Sequence, residues 1–346
     1  MKNWKMTSGP GPEPDDDEAL RDLMRSDFVL EAHERAAVGK PRSLMLEGFD
    51  RPFVRLARSV GRDEQDARRG ASDRRDGMAV NRLIGRVGEI KSLTGPSNTH
   101  AVDELAAALF EEARNFAPAI EAIRRSAQVI IRGGAQWLQF RPLVIESAAG
   151  AGKTRFVHRL AALSGLKLVY LDCATMTNMS PIVSQDATWS GARHSEIIEG
   201  LANSTSANLL VCLDELDKIR DYGRHSSPQP SQALVGLLEK QSAASHLDNY
   251  LQLTVDLSFI NWVILVNDLS RISQPVLDRC QVIRLAPPSP SEIAHIASLE
   301  IERRGLEPAL VDAITTGVRK GRITSLRTLQ KLLDAASAAS ARTILH

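Results

Sequence analysis

Residues 141–154 read RPLVIESAAGAGKT, and the rest of the chain is best read outward from them. Positions 142–146 form a short apolar run of strand character. A loop of small residues follows, Ser147, Ala148, Ala149, Gly150, Ala151 and Gly152, and then Lys153 and Thr154. Downstream, RFVHRLAALSG places Phe156, Leu160 and Leu163 at i, i+4 and i+7, one face of a helix, with Gly165 as its stop. Strand, small-residue loop, Lys-Thr and helix make up the context of a phosphate-binding P-loop. Backbone N–H groups can converge on phosphate oxygens only where side chains are small, and a helix N-terminus adds partial positive charge. Lys153 is placed to reach the β- and γ-phosphates of ATP, and the Thr154 hydroxyl to bind Mg²⁺. The pattern G-x-x-x-x-G-K-[ST] is met except at its first position. Ser147 replaces glycine there, which predicts a distorted rather than an absent loop.

The chain has 346 residues, of which 43% are hydrophobic and 25% charged, with a formal net charge of +1. That length accommodates two or three domains and a sizeable core. The near-neutral charge argues against nucleic acid or a membrane as the main partner. Cys173, Cys212 and Cys280 are far apart and show no metal-ligand spacing. Cys173 and Cys212 lie in apolar runs, as inert core thiols of a reducing compartment do. No apolar run reaches the roughly 18 residues of a membrane span, and the N-terminus lacks a signal-peptide core. The cytoplasm is the expected location.

Residues 1–20 are rich in Pro, Gly and Asp, a disordered composition, and 21–60 read as one or two short helices. Residues 61–76 are almost wholly polar and read as a linker. Arginine is frequent over 51–86, but interspersed acids favour a solvated segment over a nucleic-acid patch. Gly95-Pro96-Ser97 reads as a turn rather than a nucleophile, because no lysine lies between Lys91 and Lys153. Over 101–131 the pattern is helical, with Leu105, Leu109, Phe116, Ile120 and Ile123 as apolar points. Strands at 143–146, 168–172, 209–213, 262–266 and 282–285 then alternate with helical patterns. Such alternation predicts an α/β fold, a mostly parallel sheet with helices on both faces. After Pro287-Pro288 three helices are expected, at 290–304, 308–319 and 325–344. The expected organisation is an N-terminal extension over 1–100, partly disordered, an α/β domain over 101–286 and a small helical lid over 287–346.

The segment LLVCLDELDK is an apolar strand ending in two carboxylates. Asp214 there suits a Walker B aspartate that holds Mg²⁺ through water, and Glu215 a base that orients and deprotonates the attacking water. With these residues in view, the chain resembles the AAA+ ATPases, and within them the ATPase module of the Lon proteases, over about residues 101–340. SAAGAGKT stands where Lon has a Gly-Pro-Pro-Gly-x-Gly-Lys-Thr loop, and LDELDKI is similar to Lon's Leu-Asp-Glu-Ile-Asp-Lys segment. HLDNYLQLTVDLSFINWVILVND is similar to the stretch leading into Lon's sensor-1 strand, and PVLDRCQVIRL resembles its arginine-finger segment.

The resemblance implies roles residue by residue. Asn267 matches sensor 1 and would help polarise the lytic water. Arg279 matches the arginine finger, acting on ATP bound by a neighbouring subunit. Arg327, in SLRTLQKLL, matches the sensor-2 arginine of the lid. Without the resemblance, either arginine reads as a surface ion-pair residue. TWSGARHSEII resembles Lon's first pore loop, which makes Trp189 a candidate grip on substrate polypeptide. The polar loop 222–229 could line the same pore. A ring homo-oligomer, a hexamer, follows from the same resemblance, with a protein as substrate. Lon's serine-lysine proteolytic domain would follow the lid, where this sequence stops at His346, so ATPase activity is expected and peptidase activity is not. Two further readings remain at this point: a nucleotide-gated binding module with little turnover, and a DNA-associated ATPase using residues 51–86.

Overall fold

The computed structural model describes residues 44–45, 52–58, 74–176, 178–186, 192–219 and 230–343. In chain order the N-terminal part holds strands β1 (Leu44–Met45), β2 (Pro52–Arg55) and β3 (Ala57–Arg58), helix α1 (Arg74–Val87) and strand β4 (Ile90–Ser92). Helices α2 (Thr99–Glu112) and α3 (Ala117–Arg132) follow, separated by a 3-10 turn over Arg114–Phe116. Next come β5 (Leu143–Glu146), α4 (Lys153–Ser164), β6 (Leu168–Asp172), α5 (Glu196–Ala202) and β7 (Leu210–Asp214). Helices α6 (Pro230–Leu238) and α7 (Lys240–Ala243) lead to strands β8 (His246–Asp248), β9 (Leu253–Val255) and β10 (Asn261–Val266). The body ends with α8 (Gln274–Arg279) and β11 (Gln281–Arg284). Helices α9 (Pro290–Arg303), α10 (Ala309–Arg319) and α11 (Leu326–Thr343) form the lid.

The central sheet is parallel, in the order β11-β5-β10-β7-β6. Every residue of β7 and β10 is buried, as expected of strands covered on both faces. Alternation divides their side chains between two cores. Val144, Val211, Leu213, Trp262, Ile264 and Val266 enter one, while Leu143, Ile145, Leu210, Cys212, Val263 and Leu265 enter the other. The lid has its own core around Ile293, Ile296, Ile301, Ile314, Val318, Leu329 and Leu333. The starts of β7 and β10 are fixed by two fully buried asparagines. Asn208 Nδ2 donates to Thr94 O at 2.7 Å and Leu138 O at 3.1 Å, and its Oδ1 accepts from Thr94 N at 3.0 Å. Asn261 Oδ1 accepts from Phe140 N at 3.0 Å. Each thus replaces the water bonds it loses on burial.

The five strands of the central sheet fall within a residue of the positions expected, as do the lid helices, whereas β8 and β9 have no counterpart among the expected strands. The N-terminal part differs. Where short helices were expected over 21–60, the described residues are strands. The run Pro52-Phe53-Val54 begins with a residue that has no N–H to donate, which a strand tolerates at its first position. The packed body also starts before residue 101. Val54, Leu56, Leu83, Val87 and Leu93 share the core of β7, and Leu56 bonds both Glu89 (N to O, 2.7 Å) and Asp256 (O from N, 2.6 Å).

Gly200 of α5 tests how tightly that core is closed. A Cβ at this position would lie 2.4 Å from Val169 Cγ2 and 3.2 Å from Leu209 Cδ1. Val169 is β-branched and held in β6, so it cannot swing aside cheaply. Gly200→Ala should destabilise the chain by about 1–3 kcal/mol through overpacking. Calorimetry should show a melting temperature lower by a few degrees; an unchanged value would mean that the α5–β6 contact is loose.

Candidate functional site

The loop after β5 delivers Lys153 to the first position of α4. Gly150 and Gly152 have φ of +81° and +90°, the region glycine enters without a Cβ penalty. Among the described residues the non-glycines with positive φ are Glu215 and Gln252, so Ser147 keeps an ordinary backbone. It is buried, at 3% exposure, and its N–H bonds Val266 O at 3.3 Å. A side chain at this first loop position therefore costs no backbone strain. Lys153 is also buried, and its Nζ donates to Ser147 O at 2.6 Å and to Asn267 Oδ1 at 2.7 Å. Burial pushes its pKa down, opposed by the carboxylates of Asp214, Asp217, Glu215 and Glu146.

The acids at the end of β7 stand beside it. Thr154 Oγ1 donates to Asp214 Oδ2 at 2.8 Å, and the Tyr170 hydroxyl donates to the same oxygen at 2.6 Å. Burial and then the Asp214 carboxylate push the Tyr170 phenol up, so it stays protonated as a donor. Glu215 adopts φ +54°, a left-handed conformation that costs a non-glycine residue about 1–3 kcal/mol and clusters at functional positions. Asn267 Nδ2 lies 3.5 Å from Glu215 Oε1, so Asn267 spans the lysine and the glutamate. Its own N–H is held by Asp217 Oδ1 at 3.2 Å.

Lys153, Thr154, Tyr170, Asp214, Glu215 and Asn267 line one cleft of about 590 Å³, together with Ala149, Gly150, Ala151, Gly152 and, from the lid, Leu326, Arg327, Gln330 and Lys331, whereas Ser147, Ala148 and Asp217 do not line it. The lid touches the loop directly. Leu326 N donates to Gly150 O at 3.1 Å, and a Cβ on Gly152 would meet Leu326 Cδ1 at 2.8 Å. Ion pairs join the lid to α4 and α2, Arg155 to Glu300 at 2.9 Å and Arg303 to Glu112 at 3.0 Å, and Arg159 joins α4 to Glu112 of α2. Arg279 is not in this cleft. It lines a second one of about 370 Å³ with Arg141 and Trp262, where its Nε lies 3.2 Å from Glu239 Oε2 and its Nη1 donates to Pro275 O at 3.0 Å. Trp189 and the loop 222–229 lie outside the described residues.

Some participants carried no sequence signal. Tyr170 sits in an apolar strand and reads as core. Asn115, whose Nδ2 donates to Ala151 O at 3.0 Å and so braces the loop from behind, sits in a turn between helices. Asp217 stands in LDELDK, but its bond to Asn267 N joins two distant segments and has no trace there.

The donor set fits magnesium. Thr154 and Asp214 offer a hydroxyl and a carboxylate, the hard oxygen donors that Mg²⁺ prefers. Among the described residues no group of three or more His, Cys, Asp or Glu could hold a metal alone. An ion bound here would complete its shell with phosphate oxygens and water, as Mg²⁺ at nucleotide sites does.

Residues 144–288 match the family model described as ATPase family associated with various cellular activities (AAA). The chain is 31% identical over 195 residues to a mitochondrial Lon protease homolog of Ostreococcus lucimarinus, covering 54% of this chain and 20% of that protein. It is 30% identical over 179 residues to the mitochondrial Lon protease homolog 1 of Arabidopsis thaliana, covering 50% and 19%. It is 35% identical over 136 residues to the mitochondrial homolog of Saccharomyces cerevisiae, covering 39% and 12%. The chain thus spans a fifth or less of the length of these relatives. Among solved structures, a closed state of Hsp104 with ATPγS and FITC casein matches with a TM-score of 0.54 at 14% identity, over 68% of this chain and 46% of that one. The extended S. cerevisiae Hsp104:casein complex matches with a TM-score of 0.51 at 14% identity and the same coverages. At that identity the likeness is one of fold. Residues 144–288 are an AAA domain, and they resemble the ATPase module of the Lon proteases.

Proposed function

We propose that this chain binds ATP with Mg²⁺ in the cleft around Lys153 and hydrolyses it to remodel or translocate a protein partner. The observation that carries the reading is the convergence of Lys153, Thr154, Asp214, Glu215 and Asn267 on one cleft, with Arg327 facing it from the lid. Loop amides and the α4 N-terminus would hold the phosphates. Lys153 would exchange its bonds to Ser147 O and Asn267 Oδ1 for phosphate oxygens. Thr154 and Asp214 would hold magnesium, whose positive charge would offset the negative charge of the transferring phosphoryl group. Glu215 would take the proton of the attacking water, and Asn267, between base and lysine, would fix where that water sits. Arg327 would add its charge at the γ-phosphate from the lid.

Arg279 lines a different cleft, which supports its acting on the nucleotide of a neighbouring subunit in a ring, and the Lon resemblance supports a hexamer as that ring. Relatives named as proteases and neighbours solved with casein support a polypeptide as the partner. Trp189 is the residue we assign to grip it. Trp189→Ala should then abolish stimulation of the ATPase by unfolded protein without changing the melting temperature; a large loss of stability would make it a core residue instead.

Lys153→Ala should remove measurable ATP binding, since the ammonium neutralises the β- and γ-phosphates. Wild-type affinity in the folded variant would sink the assignment. Glu215→Gln should bind ATP but turn over about 10²–10⁴-fold more slowly, the usual loss for a general base. Near-normal phosphate release would mean that another group activates the water.

If Arg279 works in trans, specific activity should rise with protein concentration. A mixture of Arg279→Ala and Lys153→Ala subunits, each inactive alone, should recover activity, because one interface type pairs an intact loop with an intact arginine. A monomer with full, concentration-independent turnover would contradict this.

A further inference from the structure

Tyr170 stands apart from its neighbours in β6. Val169 and Leu171 are buried at 7% and 5% exposure, while Tyr170 is 37% exposed and lines the nucleotide cleft. Its ring leans on His158 of α4, with centroids 5.7 Å apart. The β6–β7 register sets it opposite Cys212, two residues short of Asp214. From there the rigid side chain carries its hydroxyl to Asp214 Oδ2, the oxygen that also accepts from Thr154. Two hydroxyl donors on one carboxylate oxygen leave that side chain little freedom to rotate. A tyrosine that only filled space would not need its hydroxyl at this carboxylate.

We propose that Tyr170 is a positioning residue for the divalent ion of this cleft, holding Asp214 in the orientation in which it and Thr154 serve the metal. The proposal rests on the reading of the cleft as a Mg-nucleotide site. Groups that orient metal-site side chains in this way typically account for about 10–100-fold in metal affinity. The carboxylate is shared between the metal side and the phenol, so losing the phenol costs orientation rather than charge. Nucleotide contacts made by the loop amides and Lys153 do not pass through Tyr170, so metal affinity and metal-free nucleotide affinity should separate.

The test is Tyr170→Phe, which keeps the ring against His158 and removes the hydroxyl. Mn²⁺ binding to the full chain, saturated with a non-hydrolysable ATP analogue, is followed by electron paramagnetic resonance. Affinity for a fluorescent ATP analogue is measured in EDTA, and the melting temperature is recorded. Mn²⁺ affinity should fall about 10–100-fold with the other two values unchanged. Unchanged Mn²⁺ affinity in the variant, where the wild type takes up Mn²⁺ with nucleotide, overturns the role of Tyr170 alone. An equal fall in EDTA also overturns it, because the residue would then act on the nucleotide. A wild-type chain that binds Mn²⁺ no better with nucleotide than without overturns the underlying reading and this role together.

Discussion

Parallel pairing of the strands β5, β10 and β7 is the constraint on which the rest depends. Strands covered on both faces can carry polar groups only at their ends, and parallel strands put all carboxyl ends on one edge. The register aligns Val266 with Glu146 and Asp172 with Asp214. The loop after β5, the acids after β7 and Asn267 after β10 therefore leave the sheet side by side. Lys153 meets Asn267 at 2.7 Å across 114 residues of sequence because β10 pairs directly with β5 and both strands end at the same edge.

This dependence explains what could be read in the sequence. The phosphate loop, the acidic strand end and the alternation of strands and helices are local patterns, visible because buried strands must be apolar and the loop must be small. Element ends were legible to within a residue where a glycine or a strand-end acid marked them, as at Gly165 and Asp214. What stayed hidden depends on pairing between distant segments. Residues 52–58 become strands because Leu56 finds Glu89 and Asp256, neither of which a local window contains. Tyr170 reaches Asp214 only through the β6–β7 register. Arg279 was singled out by its motif, but its contact with Glu239 joins α8 to the end of α6 and has no trace in either segment.

The lid is tied to the phosphate loop at two points, by different forces. Leu326 meets the loop through a backbone bond to Gly150 and through the space left by the missing side chain of Gly152. On the far side, Arg155 of α4 is held by Glu300 of the lid, and Glu112 of α2 is shared between Arg159 of α4 and Arg303 of the lid; these two carboxylates are only 12% and 15% exposed. Pairs so covered are screened by salt less than exposed ones, which contribute about 0–1 kcal/mol. Burial would raise the Glu112 carboxyl, yet its bonds to Arg159 and Arg303 hold it below the usual range. A displacement of α4 by an entering phosphate would therefore meet both α11 and α9, without an intervening flexible segment.

Lys153 shows why such a displacement can be driven at all. Burial opposes its charge, and the nearby carboxylates sustain it without any of them forming a direct bond to Nζ; its hydrogen-bond partners are a carbonyl and an amide oxygen. Both are neutral acceptors. Replacing them by phosphate oxygens would add a charged acceptor to bonds that the ammonium already assists, so direct ion-pair attraction would be gained at each. The carboxylates that sustain the ammonium would repel the same phosphates, and a divalent cation held by Thr154 and Asp214 would offset that repulsion. On the proposed reading, the loop, the lysine and the acidic strand end would thus act as one electrostatic unit, binding a polyphosphate more tightly with a metal than without it.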